Sequence, residues 1–210
     1  MHEPIRASEL VGEYLAQPDY KADFRAVQSS IAGQESWKLE RRQHFRQPGA
    51  PRWEAFARGD WTRALELIEE RRHSAPELLA KAANLAIRMH RVRVVKQPLS
   101  PYLQWELHSL KVSAECGELI RVVPANLVRD LEAESELPEL ITLGPSVAYH
   151  ILYTDSGEPN GGVKVTHPGT VARITGLTRY LYEAGEDIAT FFEREVAPLP
   201  PPPGEHALRD

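Results

Sequence analysis

Apolar residues near the N-terminus recur at helical spacing. Leu10, Val11, Tyr14 and Leu15 share one face behind Ser8 as a cap, and after the Pro18-Asp19 break Tyr20, Phe24, Val27 and Ile31 share another. Residues 7–31 therefore read as two short helices. Gly33 interrupts the pattern, Trp37-Lys38-Leu39-Glu40 reads as a short extended piece, and Pro48-Gly49-Ala50-Pro51 as a loop. Trp53, Phe56, Trp61, Leu65 and Ile68 predict a second helical region with a start near Asp60. Ser74-Ala75-Pro76-Glu77 has the form of a capping box, in which serine and glutamate reciprocally satisfy orphan backbone N–H groups. It opens a helix through Leu78, Leu79, Ala82, Ala86 and Ile87.

The pattern changes period in the centre. Arg91-Val92-Arg93-Val94-Val95 alternates into a β-branched run, which is strand chemistry. Pro98-Leu99-Ser100-Pro101 opens a helix through Tyr102, Leu103, Leu107, Leu110 and Val112, closed by Cys116-Gly117 before the strand Leu119-Ile120-Arg121-Val122-Val123. Strand, helix and strand joined this closely form a βαβ unit, which makes the two strands parallel. A short acidic helix from Leu127 to Leu137 follows, then strands at 141–143, 147–153 and 163–165 with an Asp155-Ser156-Gly157 hairpin turn. Thr166 to Val196 reads as one long helix with Val171, Ile174, Leu177, Leu181, Ile188 and Phe192 on its inner stripe, bent at Gly185. The expected architecture is α/β: a βαβ core with a mixed sheet, a C-terminal hairpin and a long helix. Residues 1–34 read as a helical N-terminal extension, 35–197 as the α/β domain, and 198–210, rich in proline, as a mobile tail.

Composition narrows the function classes. The chain has 210 residues and a formal net charge of -5, opposite to the basic balance that gives non-specific nucleic-acid binders their affinity. No direct nucleic-acid role is expected. Cys116 is the single cysteine, which removes intramolecular disulfides and cysteine-based zinc sites. Residues 1–6 lack the apolar stretch of a secretory signal, and no uncharged apolar run is long enough to cross a bilayer. We expect a cytoplasmic protein without membrane attachment.

Catalytic patterns fail on spacing. His108 and Lys111 are three residues apart in a helix, where such a pair forms an ordinary solvated face. The eight histidines stand singly with no adjacent carboxylate set, so no metal and no cofactor are expected, and folding is predicted to be indifferent to chelators. Cys116 ends a helix, where the negative dipole disfavours a thiolate. The glycine-rich stretch 157–162 belongs to a hairpin and has no helix N-terminus behind it to hold a phosphate.

One constellation survives: Glu40, Arg91, Arg93, Tyr102, Trp105 and Glu106. Arg91 and Arg93 share a strand face, Tyr102 and Glu106 are stacked at i, i+4, and crevices in open parallel sheets lie at the carboxyl ends of strands. Two readings stay open here: a structural ion pair with packed aromatics, or a ligand- or partner-binding site. We expect Arg93, Tyr102 and Glu106 to form one polar cluster, and Glu106→Ala to weaken function more than folding.

The succession Trp37-Lys38-Leu39-Glu40, then the run from Arg91 through Pro98-Leu99-Ser100-Pro101-Tyr102 to Glu106, then Gly117-Glu118-Leu119-Ile120-Arg121-Val122-Val123-Pro124, resembles an actinobacterial domain family of unknown function. The Asp155-Ser156-Gly157 turn, Gly161-Gly162 and the His167-Pro168-x-x-Val171 helix start fit the same pattern, so the likeness spans about residues 35–197. Family members carry a phenylalanine-rich, aspartate-flanked strand where this chain has Gly144-Pro145-Ser146-Val147-Ala148-Tyr149. Such domains are commonly encoded beside helix-turn-helix regulators, and the order of elements is loosely similar to non-catalytic phospholipase-D-like domains. The resemblance implies a non-catalytic regulatory or sensor-like protein, acting through a partner such as a helix-turn-helix regulator or through a small ligand. The alternative is a small-metabolite enzyme using Glu40, Tyr102 and Glu106 for acid–base chemistry in the crevice at the end of the Arg91–Val95 strand.

Overall fold

The alternating segments come together as the middle of one sheet. The computed structural model describes residues 3–73 and 77–202. Strands β1 (Glu13–Leu15), β2 (Glu35–Glu40), β3 (Arg88–Val95) and β4 (Leu119–Pro124) are followed by β5 (Leu140–Leu143), β6 (Val147–Tyr153), β7 (Pro159–Val165) and β8 (Glu186–Asp187). They form a mixed eight-stranded sheet in the order β1-β7-β6-β5-β2-β3-β4-β8. The expected parallel pair β3–β4 is present and β2 extends it, also parallel. The hairpin β6–β7 and its neighbours pair antiparallel.

Between the strands run α1 (Gln17–Ser30), α2 (Pro51–Ala57), α3 (Trp61–His73), α4 (Glu77–Asn84), α5 (Pro101–Glu115), α6 (Pro168–Ala184) and α7 (Ile188–Glu195). The start of α5 is fixed locally: Pro101 needs no N–H partner in the first turn, and the Ser100 hydroxyl accepts from Leu103 N at 3.2 Å. His167 caps α6 in the same way through Thr170 N. The Ser74-Ala75-Pro76 cap lies outside the described residues.

Alternation along each strand sorts the two faces. Leu39, Val92, Val94 and Val123 pack with Val171, Ile174, Leu177 and Leu181 of α6. On the opposite face, Val95, Ile120 and Val122 meet α5 and α7, while Ile141, Leu143, Tyr149 and Ile151 meet α1 and α4. A further cluster joins α2, α3 and α5 through Phe45, Trp53, Phe56, Ile68, Tyr102 and Trp105.

Three readings of the sequence are corrected. The first N-terminal helix is a 3-10 turn (Ala7–Glu9) followed by β1, which adds to the free edge of β7. Gly161 allows that approach: its φ is +90°, and a Cβ there would lie 2.2 Å from the Leu15 carbonyl oxygen. The long C-terminal helix is two helices separated by β8, which pairs with β4. Gly185 sits at the break, where a Cβ would come within 2.9 Å of Arg121 Cβ. The break carries the chain around the sheet edge, so the expected single stripe divides: Val171 to Leu181 pack on one face, Ile188 and Phe192 on the other. The acidic helix after β4 is a 3-10 helix, Ala125–Glu132. At the C-terminal end the Pro200 carbonyl accepts from Gln104 Nε2 at 2.8 Å, and residues 203–210 lie outside the described residues.

Candidate functional site

Parallel pairing of β2 with β3 sets Lys38 beside Arg91 and Glu40 beside Arg93, all four on the face away from α6. The helix α5, separated from β3 by five residues, lays Tyr102, Trp105 and Glu106 over that charged patch. Six residues singled out from the sequence therefore converge in space, and five of them fall into two connected groups.

The first is a clasp. Arg93, fully buried, donates from Nε to Glu106 Oε2 at 2.7 Å, and the Tyr102 hydroxyl donates to Glu106 Oε1 at 3.1 Å. Arg93 Nη1 reaches the carbonyls of Val94 and Glu40 at 3.1 and 3.4 Å, tying α5 to both strands. Burial, then the nearby Glu40 carboxylate, raise the Glu106 carboxyl above its ordinary range against the pull of Arg93. Burial and Glu106 likewise push the Tyr102 phenol well up.

The second is a ladder. Lys38 Nζ lies 2.6 Å from Glu40 Oε1, and Arg91 Nη1 donates to Glu40 Oε2 at 2.8 Å. Arg91 Nε donates to Glu118 Oε1 at 2.8 Å. Burial alone would raise the Glu40 carboxyl, but Arg91, Lys38 and Arg93 outweigh it and hold it well below the usual carboxylate range. Trp105 belongs to neither group: it stacks on Phe56 with centroids 5.2 Å apart, and its indole N–H has no acceptor among the described residues.

A cavity of about 290 Å³ opens between this patch and helices α2, α3 and α5. Its walls include Lys38, Glu40, Arg91, Trp105 and Glu106, and also Arg46, Arg52, Arg71 and Ser109, which sequence reasoning missed. Arg52 on α2 and Arg71 on α3 look in sequence like solvated helix positions; only the packing of α2 and α3 against α5 turns them inward. Glu118 follows Gly117 at the head of β4, and its role depends on the β3–β4 register, which spacing alone does not fix. Glu139, just before β5, accepts from the backbone N–H groups of Arg41 and Arg42, and burial followed by Glu40 lifts its carboxyl to about 7. His108, discounted above as a nucleophile, lies edge-on to the Trp61 and Phe192 rings. Among the described residues no three His, Cys, Asp or Glu side chains gather as a metal-ligand group, and no helix is long and apolar enough to cross a membrane.

Comparison with known proteins places these features in a family. The model of a domain of unknown function, DUF6879, matches residues 22–193. No curated protein matches the chain. Among solved structures, a phospholipase D family member, Nuc from Salmonella typhimurium, aligns over 84% of this chain and 97% of its own, with 12% sequence identity and a TM-score of 0.47.

Proposed function

From the premise that the chain belongs to the DUF6879 family, we propose that it is a non-catalytic, sensor-like protein that holds a small ligand in the cavity between the sheet and α2, α3 and α5. One observation carries this reading. Both carboxylates lining the cavity have both oxygens engaged: Glu40 by Lys38 and Arg91, Glu106 by Arg93 and Tyr102. A general base needs a free oxygen within reach of the proton it takes, and fixed ion pairs instead make a rigid, preorganised wall. Ligand occupancy is then passed to a protein partner, for which a helix-turn-helix regulator is the candidate drawn from the sequence resemblance.

Equilibrium dialysis of the full chain against a fractionated low-mass extract, read by mass spectrometry, tests the reading. A compound retained stoichiometrically and recovered unchanged supports it. Consumption of the compound in excess of the protein overturns it in favour of the enzymatic reading. That second reading rests on the raised Glu106 carboxyl 3.1 Å from the Tyr102 hydroxyl, a pair placed for proton transfer. It requires that Tyr102→Phe abolish turnover while leaving the fold intact.

A further inference from the structure

We propose, resting on the ligand-binding reading above, that the cavity takes a small organic anion whose carboxylate or phosphate group is held between Arg52 and Arg71, with an apolar body lying toward Trp105. Five cationic side chains line the cavity against two carboxylates. Three of the five are answered by protein: Lys38 and Arg91 by Glu40, Arg46 by Glu158. Arg52 and Arg71 are not. Arg52 Nη2 donates to the neutral Gln47 Oε1 at 2.9 Å, and Arg71 Nη1 to the neutral Ser109 hydroxyl at 2.7 Å. Neither has a carboxylate within ion-pair distance among the described residues.

The shortage is local, since the chain carries 30 acidic residues against 25 basic ones. Arg72, next to Arg71 on α3, takes Glu69 and Glu115 as partners on the outside of the helix. Arg63, earlier on α3, takes Glu66 and Glu70. The two arginines turned inward are those left with neutral acceptors. They also repel: burial, then Arg71, lowers the Arg52 guanidinium to about 10, a cost that an anion between them would relieve.

Two further donors point to an acceptor that the protein does not supply. Among the described residues, the indole N–H of Trp105, which is 1% exposed, has no partner, and the buried Arg52 Nε is likewise unpartnered. Buried donors are rarely left without an acceptor, because they lose their water and gain nothing in return. Guanidinium forks match the paired oxygens of carboxylate and phosphate. The remaining wall, Phe45, Trp105 and Tyr153, offers apolar surface to the rest of the ligand. At about 290 Å³ the space suits a molecule of one ring with its anionic substituent.

Isothermal titration of the full chain with benzoate, phenyl phosphate, inorganic phosphate and benzamidine tests the assignment, with Arg52→Gln, Arg71→Gln and, as an exterior control on α3, Arg63→Gln. We expect saturable binding of benzoate or phenyl phosphate, weakened at least tenfold by Arg52→Gln and by Arg71→Gln and unchanged by Arg63→Gln. The preference between the two aromatic anions identifies the oxyanion. Absence of saturable binding by either, or binding unaffected by both inward variants, overturns the proposal. Inorganic phosphate binding as tightly as phenyl phosphate removes the apolar seat, and with it the organic ligand. Benzamidine has the ring and shape of benzoate with opposite charge, so equal affinity for the two overturns the anion assignment even where a variant fails to fold. Retention of only cationic or neutral compounds in the dialysis experiment would remove the anion and leave the sensor reading in place. Turnover of a bound anion would do the reverse.

Discussion

Arg93 is buried behind Glu106, which lines the cavity, and Arg71 lines the cavity itself; the two differ in what answers their charge. Arg93 is fully buried, yet a carboxylate and two backbone carbonyls receive its donors. Arg71 is less buried, and its one side-chain partner is a neutral hydroxyl. A buried charge with a fixed partner is part of the fold, because removing the partner strands it. A half-buried charge without one contributes little to folding and remains free to act on something else. The buried clasp and the arginine side of the cavity are thus separable in experiment.

The largest effect is expected where the clasp is broken. Glu106→Ala leaves Arg93 charged and unpaired in the interior, which should cost about 3–5 kcal/mol of unfolding free energy in urea titration. The sequence suggested that this variant would lose function ahead of folding; with Glu106 only 6% exposed against a fully buried arginine, the fold is now expected to suffer first. A loss under about 1 kcal/mol would mean that the clasp is not a structural unit.

Glu139 sharpens the comparison from the acidic side, as a buried carboxylate held by backbone N–H groups and with no ion-pair partner among the described residues. Its carboxyl is raised from 4.5 to about 7, so the folded state holds a proton that the unfolded state has released. The stability it permits is complete below pH 4.5, falls as pH rises to about 7, and is level above that. Glu40 has the opposite sign: its contribution is present above its unfolded value and is lost as pH falls; Glu106, raised like Glu139, is common to wild type and variant and drops out of a paired comparison. Relative to the wild type, Glu139→Gln should therefore gain roughly 1–3 kcal/mol between pH 4.5 and pH 8 in paired urea titrations. A constant difference across that range would show that Glu139 is ionised throughout.

Tyr102→Phe removes one hydrogen bond to Glu106 and leaves the Arg93 pair intact, so a loss of about 0.5–1.5 kcal/mol is expected. A loss as large as that of Glu106→Ala would make the hydroxyl, and not the ion pair, the centre of the clasp. The smallest effect belongs to the open wall. Arg71→Gln should change unfolding by no more than about 0.5 kcal/mol, since the Ser109 hydroxyl it leaves is neutral and no buried charge is stranded. Destabilisation comparable to that of the clasp would erase the distinction between the two arginines.

The sheet centre was legible because its signal is local. Period-two alternation at Arg91–Val95 and a Ser-Pro helix start at Ser100 each depend on a few adjacent residues, and both are found where the pattern places them. The same alternation, with i, i+4 stacking, was enough to bring Arg93, Tyr102 and Glu106 together. Two of the three misread segments lie at the two sheet edges. At each, a strand of two or three residues carries the chain from one face to the other: Leu10 packs with α6 before β1 and Phe24 on the far face after it, as Leu181 and Phe192 do around β8. Strands that short show no alternation, and apolar residues on opposite faces of a sheet can still fall at helical spacing.

By itself, then, the sequence determined the α/β class, the parallel β3–β4 unit and the polar cluster between β3 and α5, all consequences of backbone periodicity over short distances. Tertiary structure alone decided that β2 joins them in parallel, that Glu118 completes the charge ladder, and that Arg52 and Arg71 turn into a cavity instead of toward solvent. Those outcomes depend on which elements pack together, and the free energy of burying or pairing a charge is set by neighbours that lie tens of residues away along the chain.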